Sequence, residues 1–599
     1  MLKKFFIAFM GSMAAIWLSG FLFIIGLIIA VGVAIGSLVG ESEIKEHSIL
    51  VIDLTGVINE RETKPSIPEI ITEDFDLKSP TLNSMLRAIR LAASDSDIDG
   101  IYIECGGSEM GYASRRELLE AINDFKKSGK WVYAYGDMYS QGDYFVASAA
   151  TKIFVNPEGA VDIHGLASTV PFFKNALDKL GVEVQVFKVG EFKSAVEPFL
   201  LTQMSEPARL QTKVYIDSVW SEVSDIIAEN RSIPASQVQN LADSMLMAQK
   251  TDVLTMNKLV DEVCYRRVFE NKLRKLTKLD MDEDLRLVSP AEYLEANNIS
   301  EDQPSKDEKH VAVLYALGDI VDNGNEGIVA TDIVPAIISL ADDENVKGLV
   351  LRVNSGGGSA FASEQIWEAL EYFKSKKKPF YVSMGDYAAS GGYYISCGAD
   401  KIYADAETLT GSIGIFGMIP CVNKLMNNHL GINFSTVSTN ANAAFPQITS
   451  PMTPAQYSAM QKSVEDGYEL FTSRVAEGRG IERSEVLKIA EGRIWDGRSA
   501  LRLGLVDNIG SLNDAVAAMV KAARVENSQV IAYPEISFST FEEMLLNTAG
   551  GSDNALSKAY NGLEIEGLSP REVRKCMGVV RRMMSCSPIQ ARMEDVTIE

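Results

Sequence analysis

The stretch His47-Ser-Ile-Leu-Val-Ile-Asp-Leu-Thr-Gly-Val-Ile returns later in the chain as His310-Val-Ala-Val-Leu-Tyr-Ala-Leu-Gly-Asp-Ile-Val. In both copies an apolar run ends at a glycine, which is typical of a buried strand followed by a turn. The copies are offset by roughly 250 residues, enough for a whole domain. The sequence therefore predicts two related units, each opened by one of these strands.

The match continues beyond the opening strands. Gly100-Ile-Tyr-Ile corresponds to Gly348-Leu-Val-Leu, and a glycine-rich turn comes after each of them. A helical pattern comes next, over residues 117–125 in the first copy and 364–373 in the second. Strands that alternate with helices of this length predict right-handed βαβ units and a parallel sheet covered by helices. We therefore expect an α/β fold with two tandem domains.

These patterns divide the chain into five segments. The stretch between the two copies is rich in charge and contains Ser-Pro and Gln-Pro, which is typical of a linker with some helix. After about residue 525 the repeat pattern fades, and the sequence assigns no role to the remaining C-terminal residues. The predicted segments are 1–46 (hydrophobic N-terminal segment), 47–265 (first α/β repeat), 266–309 (linker), 310–525 (second α/β repeat) and 526–599 (C-terminal extension).

The charge balance argues against one large class of partner. The 599 residues contain 57 Lys and Arg against 81 Asp and Glu, a formal net charge of −24. Binding to nucleic-acid phosphates needs clustered basic side chains, so we exclude nucleic acid as a partner. The six cysteines show no zinc-ligand spacing, so we expect no structural zinc site. The spacing of Cys576 and Cys586 leaves open whether they form a disulfide.

A long apolar segment near the N-terminus predicts a membrane anchor. No residue between positions 5 and 39 is charged, and a helix needs about 20 apolar residues to cross about 30 Å of hydrocarbon. Two lysines precede the segment and two glutamates come after it, so the positive-inside bias keeps the short N-terminus in the cytoplasm. We expect residues 1–46 to hold a single-pass transmembrane helix, with the rest of the chain outside the cytoplasm. A cleaved signal peptide is the alternative.

Ser390 lies at a predicted strand-to-helix turn in the second copy, within Ala388-Ala-Ser-Gly-Gly. Small neighbours allow a carbonyl group to approach, and a helix N-terminus presents free N–H groups to a developing oxyanion. The N–H of Gly391 would be one donor, and the turn Asn354-Ser-Gly-Gly-Gly-Ser would supply another from Gly358. Ser390 is therefore a candidate nucleophile. A serine that only caps the helix is the alternative.

A serine nucleophile needs a base, and none of the four histidines lies in the glycine-rich motifs of the second copy. His164 lies in the first copy's counterpart of Gly411-Ser-Ile-Gly, and we expect it to be structural. A lysine is the known alternative when burial lowers its pKa enough to populate the neutral amine. The candidate is Lys193, in the mostly apolar segment Gly190-Glu-Phe-Lys-Ser-Ala-Val-Glu-Pro-Phe. Ser412 would hold its amine by a hydrogen bond, or would only stabilise a turn.

The two copies keep different halves of this pair. Gln141 corresponds to Ser390, so the first copy lacks the serine. Asn442 or Ala443 corresponds to Lys193, so the second copy lacks the lysine. This pattern is expected of a duplicated enzyme that retains one composite site between its domains. A surface lysine with chance complementarity is the alternative.

Together these motifs resemble the long form of bacterial signal peptide peptidase A, also called protease IV. The resemblance covers nearly everything from the N-terminal segment to about residue 525. It departs at Gly356, where the family usually has a proline that would stiffen the turn. Four motifs carry the resemblance: Gly-Glu-Phe-Lys193-Ser-Ala-Val-Glu-Pro, Asn-Ser-Gly-Gly-Gly358-Ser, Ala-Ala-Ser390-Gly-Gly-Tyr and Leu-Thr-Gly-Ser412-Ile-Gly.

The resemblance implies two tandem domains of the Clp-protease/crotonase superfold and a Ser/Lys protease. Ser390 would be the nucleophile, Lys193 the general base, and Gly391 and Gly358 the oxyanion donors. It also implies a dome-like homotetramer in the bacterial inner membrane, with the catalytic domains on the periplasmic side. The implied substrates are signal-peptide remnants and other hydrophobic peptides, cleaved without a cofactor, metal ion or ATP.

Two other functions are compatible with these patterns. A crotonase-like acyl-CoA hydratase or isomerase also uses glycine-turn oxyanion holes. However, coenzyme A is cytoplasmic, and the motifs contain no Glu or Asp where that chemistry needs a base. A non-catalytic membrane scaffold would need only the repeats and oligomerisation. Labelling of Ser390 by a serine-reactive phosphonate would distinguish the peptidase from the scaffold.

Overall fold

The computed structural model describes residues 44–62, 80–297, 308–324, 326–525, 529–534 and 589–593. The predicted membrane anchor lies outside these residues, as do Cys576 and Cys586. Within the described part of the chain, no helix is both long enough and apolar enough to cross a membrane.

Strands and helices alternate along the first repeat, as predicted. The strands are β1 (Ser48–Val57), β2 (Ile98–Glu109), β3 (Trp131–Tyr139), β4 (Lys152–Val161), β5 (Glu183–Lys188), β6 (Glu262–Val263) and β7 (Leu287–Val288). The α-helices are α1 (Leu82–Ala92), α2 (Tyr112–Lys126), α3 (Gln141–Ala147), α4 (Lys174–Leu180), α5 (Glu197–Leu200), α6 (Glu206–Arg231), α7 (Ala235–Ala242), α8 (Asp252–Met256), α9 (Arg266–Leu276) and α10 (Pro290–Ala296). Six strands form a parallel sheet in the order β6-β4-β3-β2-β1-β7.

The second repeat has the same architecture. Its strands are β8 (His310–Leu317), β9 (Ile320–Val321), β10 (Ile328–Val329), β11 (Val346–Ser355), β12 (Gly357–Ser359), β13 (Phe380–Ala389), β14 (Lys401–Ala404), β15 (Leu409–Gly411), β16 (Phe416–Cys421), β17 (Ile494–Asp496), β18 (Asn508–Ile509) and β19 (Gln529–Tyr533). Its α-helices are α11 (Ala330–Asp342), α12 (Ala360–Ser375), α13 (Gly391–Ser396), α14 (Pro454–Arg479), α15 (Arg483–Ile489), α16 (Gly497–Arg502) and α17 (Leu512–Ala523). The main sheet has the order β17-β15-β13-β11-β8-β19, and off this path β14 pairs with β13 and β18 pairs with β14. The tandem α/β prediction is confirmed.

Segments outside the two predicted repeats also join these sheets. β7 lies in the stretch expected to be a linker and pairs with β1, so it extends the first sheet. In the same stretch, Tyr293 and Leu294 of α10 enter the core of the first repeat. β19 belongs to the predicted C-terminal extension and pairs with β8 of the second repeat.

Helix α12 illustrates why the predicted helical patterns form helices. It begins after Ser359, whose hydroxyl accepts the N–H of Ala362 and so satisfies one free donor of the first turn. Ile366, Leu370 and Phe373 are buried, and their spacing of three and four residues places them on one face. That face packs into the apolar core of the second repeat.

A third sheet joins the two repeats and was not predicted. It has the order β10-β9-β12-β20-β16-β5, where β20 (Ile589–Arg592) comes from the C-terminal extension. β5 of the first repeat is antiparallel to β16 of the second, with Phe187 opposite Gly417. This pairing carries the chain after β5 toward the second repeat.

Buried charges also connect the two repeats. Arg352 of β11 is fully buried and pairs with Glu60 at 2.8 Å and with Glu117 at 2.7 Å, both from the first repeat. Arg116 of α2 pairs with Glu407 of the second repeat at 3.1 Å. Burial raises the pKa of Glu407 to about 7, against the opposing effect of Arg116, and it raises the pKa of Glu117 as well. The contact between the repeats thus contains carboxyl groups that lose their protons only at an unusually high pH.

Candidate active site

Ser390 lies directly after β13 and precedes α13, at the strand-to-helix turn that the sequence predicts. Its backbone has φ 57° and ψ −115°, a conformation that non-glycine residues rarely adopt. The N–H of Ser390 donates to Gly411 O at 2.8 Å, and Ser390 O accepts the N–H of Tyr394 at the same distance. These bonds hold the strained turn in place, and strain of this kind is concentrated at functional sites.

Lys193 belongs to the first repeat, but its environment is built by the second. The N–H of the preceding Phe192 donates to Glu491 O at 3.1 Å. Gly492 lies directly against Lys193, since a Cβ added to this glycine would be 2.6 Å from Lys193 Cβ. The φ of Gly492 is 81°, so both the close approach and the backbone conformation require glycine.

Lys193, Ser390 and Ser412 meet in one buried cluster, in which no side chain is more than 2% exposed. Lys193 Nζ donates to Ser390 Oγ at 2.8 Å, to Ser412 Oγ at 3.0 Å and to Ser412 O at 3.1 Å. With the amine neutral, the same contact would let Ser390 pass its proton to the lysine. The structure therefore brings together the lysine of one repeat and the serine of the other.

The two glycine-rich segments predicted to supply N–H groups also meet. Gly391 is the first residue of α13, and Gly358 lies in β12. A Cβ added to the neighbouring Gly357 would be 2.7 Å from Gly391 N, so the turn and the helix N-terminus are in contact. Both segments therefore border the region beside Ser390.

Gln211, which was not predicted from the sequence, positions the segment that carries the lysine. Its Nε2 donates to Phe192 O at 3.0 Å and to Ser194 Oγ at 2.9 Å, on either side of Lys193. Its Oε1 accepts the N–H of Ile494, the first residue of β17. Gln211 is buried within the long helix α6, and nothing in the sequence pattern of that helix distinguishes it from its polar neighbours.

His164 interacts within the first repeat. Its Nδ1 lies 2.9 Å from Asp162 Oδ1, and its backbone N–H donates to Gln141 Oε1. Across the described residues, no three His, Cys, Asp or Glu side chains are grouped so as to hold a metal ion.

Comparison with known proteins identifies the family. The sequence model of peptidase family S49 matches residues 124–280 and 372–526, one match in each repeat. The Clp protease model matches residues 314–408. The chain is 36% identical to Protease 4 of Salmonella typhi over 549 residues, which cover 88% of this chain and 87% of that protein.

Two further relatives match most of the chain. Protease 4 of Haemophilus influenzae is 35% identical over 536 residues, covering 85% of each chain. The chloroplastic serine protease SPPA of Arabidopsis thaliana is 26% identical over 480 residues, covering 79% of this chain and 70% of that protein. These matches favour the peptidase over the acyl-CoA enzyme and the scaffold. The chain belongs to peptidase family S49 and is a serine peptidase with two tandem Clp-protease-like α/β domains.

Proposed function

We propose that the chain is a membrane-anchored endopeptidase in which Ser390 is the nucleophile and Lys193 the general base. The proposal rests mainly on the 2.8 Å contact between Lys193 Nζ and Ser390 Oγ, buried where the two repeats meet. The hydrogen bonds from the same amine to Ser412 support it, because they restrict the amine to one orientation.

The proposed chemistry is acyl transfer. The neutral amine of Lys193 takes the proton of Ser390, and the alkoxide attacks the carbonyl carbon of a peptide bond. The N–H groups of Gly391 and Gly358 stabilise the oxyanion. The lysine then protonates the leaving amine, and water activated by the same lysine hydrolyses the acyl-enzyme. Ser412 keeps the amine directed at Ser390 during both steps.

The proposed substrates are signal-peptide remnants left in the membrane after preprotein processing, together with other hydrophobic peptides. The four motifs shared with signal peptide peptidase A support this class. The resemblance that these motifs carry also supports a homotetramer.

The proposed location is the bacterial inner membrane, with a cytoplasmic N-terminus and periplasmic catalytic domains. The uncharged run over residues 5–39 and the charges at its ends support this topology. The anchor would contact membrane lipid and hold the catalytic domains near peptides released within the bilayer.

The test is hydrolysis of a fluorogenic apolar peptide by the full-length chain in detergent, from about pH 6 to about pH 10. Wild type is compared with Ser390→Ala and Lys193→Ala. The control variants Ser375→Ala and Lys424→Ala replace exposed residues of the same types. We expect each dyad variant to lose at least about 10³-fold in kcat, and the control variants to keep wild-type turnover.

We also expect wild-type activity to rise with pH, because the neutral lysine is the active form. A Lys193→Ala enzyme that kept most of its rate would contradict the proposed base. Equal cleavage by all five proteins would show that a contaminant is responsible. Labelling by a serine-reactive phosphonate should be lost in Ser390→Ala and retained in Ser375→Ala.

A further inference from the structure

The strand that leads to Ser390 contains a bulge. β11 and β13 pair in one register from Leu349 to Val353, but the next pair joins Ser355 to Ala388, so β13 has two extra residues at this point. A bulge bends its strand and redirects the side chains, and bulges are common beside active sites. The corresponding ladder of the first repeat, between β2 and β3, keeps one register. In this ladder, the bulge is therefore a feature of the repeat that carries the serine.

Three contacts hold the bulged residues in place. Thr408 donates its hydroxyl hydrogen to Gly385 O at 2.8 Å. Asn354 Oδ1 accepts the N–H of Tyr387 at 3.1 Å. Thr408 and Asn354 both belong to the second repeat. The third contact is different, because the carboxylate of Asp386 extends to the first repeat.

Asp386 caps a helix of the first repeat. One of its carboxylate oxygens accepts the N–H of Ser114 at 3.0 Å, and the other accepts the hydroxyl hydrogen of Ser114 at 2.6 Å. Ser114 lies in the first turn of α2, whose own N-cap residue, Gly111, has no side chain to accept this N–H. A Cβ added to Gly111 would overlap the carboxylate of Asp386, so the close approach requires glycine. The negative charge is also favourable at the positive end of the helix.

A regular ladder connects this cap to the serine. The three residues between Asp386 and Ser390 all pair with β15, and the N–H of Ser390 donates to Gly411 O at the end of that strand. A displacement of Asp386 would therefore be passed along the paired backbone to Ser390. The partner of Ser390 Oγ is Lys193 Nζ of the first repeat, 2.8 Å away. The cap thus acts on the distance over which the proposed proton transfer takes place.

We propose that Asp386 is a positioning residue, which fixes the bulge of β13 on the first repeat and thereby places Ser390 beside Lys193. The inference rests on the proposed function, because it gives Ser390 and Lys193 the roles stated there. Asp386 acts through the backbone of β13 and takes no part in making or breaking bonds.

The first repeat offers a matched control. Asp137 corresponds to Asp386 in the predicted alignment of the two repeats. Its Oδ1 accepts the hydroxyl hydrogen of Tyr135 at 3.2 Å and an amide N–H of Asn156 at 2.8 Å, both within the first repeat. Its side chain is 59% exposed. Asp137 therefore matches Asp386 in residue type and strand position, but its hydrogen bonds stay within one repeat.

The experiment measures kcat and KM for the fluorogenic peptide with the full-length chain in detergent, and thermal unfolding to count the folded molecules. We expect Asp386→Ala to lower kcat by about 10²-fold, the loss typical of a misplacement of about 1 Å, and to change KM by less than about twofold. Asp386→Asn keeps an acceptor for the N–H of Ser114 and can donate to its hydroxyl oxygen, so kcat should stay within about threefold of wild type. Asp137→Ala should match the wild type.

Ser114→Ala is a milder variant, which keeps the test open if Asp386→Ala folds poorly. It removes one of the two hydrogen bonds and should lower kcat by about threefold to tenfold. In the double variant kcat should be no lower than in Asp386→Ala alone, because both substitutions break the same contact. Losses that multiply in the double variant would overturn the proposal, since the two residues would then act independently.

The split between kcat and KM separates positioning from a purely structural role. A wild-type kcat per folded molecule in Asp386→Ala overturns the proposal, because the aspartate would then only stabilise the fold. An equal loss of kcat in Asp137→Ala or in Asp386→Asn overturns it as well. These outcomes leave the proposed function standing as long as the wild type cleaves the peptide and Lys193→Ala does not. A Lys193→Ala enzyme that keeps its rate, or a wild type without activity, overturns both proposals.

Discussion

The two repeats share a backbone but differ in what their glycine turns bind. Tyr144 in the first repeat and Tyr393 in the second each donate a hydroxyl hydrogen to the carbonyl of a buried leucine, at 2.7 and 2.9 Å. This equivalence supports the predicted register, in which Gln141 occupies the position of Ser390. The strand-to-helix connection therefore lies at the same place in both repeats, while the residue at its centre and the backbone conformation differ.

In the first repeat, Asp143 fills the turn. Its carboxylate accepts the N–H of Gly107 at 2.9 Å and the hydroxyl of Ser108 at 2.5 Å. Arg115 balances the negative charge at 3.0 Å. The N–H group of this turn is thus permanently paired with an internal anion, and the backbone before α3 is unstrained, with φ −65° at Ser140.

In the second repeat, Gly392 takes the place of Asp143, and the turn faces a carbonyl of β20 instead. A glycine turn beside a helix N-terminus is therefore only a scaffold for catalysis. Whether it binds a substrate depends on whether a side chain of the same helix already occupies it.

The largest expected difference between the repeats comes from adding one methyl group to the glycine turn of each. Gly357 and Gly107 have similar φ values, 101° and 91°, so alanine strains the backbone alike at both. At Gly357 the new Cβ would lie 2.2 Å from Ala591 O and 2.7 Å from Gly391 N, whereas at Gly107 nothing lies within 4 Å. We expect Gly357→Ala to lower kcat/KM by about 10²-fold or more, and Gly107→Ala to change it by less than about twofold.

The readout for both variants is peptide hydrolysis, with thermal unfolding to show that each is folded. Equal losses of activity would contradict the comparison, because the first repeat's turn would then contribute to catalysis. Equal retention would remove the second repeat's turn from the proposed oxyanion hole.

Much of the fold was predictable because the same order of strands and helices occurs in both repeats. The strands at His47 and His310 and the helices after them recur in the same order, and local patterns of this kind depend on burial of one face. The third sheet was not predictable. Its strands are two to six residues long, and the pairings that connect it to β5 and β20 run between the repeats or to the C-terminal extension, so no local pattern reports them.

The candidate site was only partly predictable from the sequence. Complementary losses pointed to Lys193 and Ser390 as one composite pair, and the structure places their side chains in contact. The role of Gln211 was hidden, because it depends on contacts with residues distant in the sequence. The unusual φ of Ser390 was hidden as well, since only the assembled turn imposes it.

A smaller effect is expected when the internal anion of the first repeat is removed. Asp143→Ala leaves Arg115 buried without its carboxylate, which costs about 3–5 kcal/mol of unfolding free energy. Urea unfolding should show this loss, while kcat per folded molecule stays unchanged. The control Asp178→Ala removes an exposed partner of Lys174 and should cost less than about 1 kcal/mol. A catalytic defect in folded Asp143→Ala would show that the first repeat's turn still acts in the reaction.

The smallest expected effect is a pH dependence of the contact between the repeats. Glu407 has its pKa raised from 4.5 to about 7 by burial, so between these values the unfolded chain has released a proton that the folded chain keeps. Stability therefore falls as pH rises through this window, by at most about 1.4 kcal/mol per pH unit, and levels off above it. Urea unfolding at several pH values should show a shallower slope for Glu407→Gln, which cannot ionise, and an unchanged slope for the exposed Glu485→Gln. Identical slopes in all three proteins would mean that Glu407 does not couple the repeats to pH.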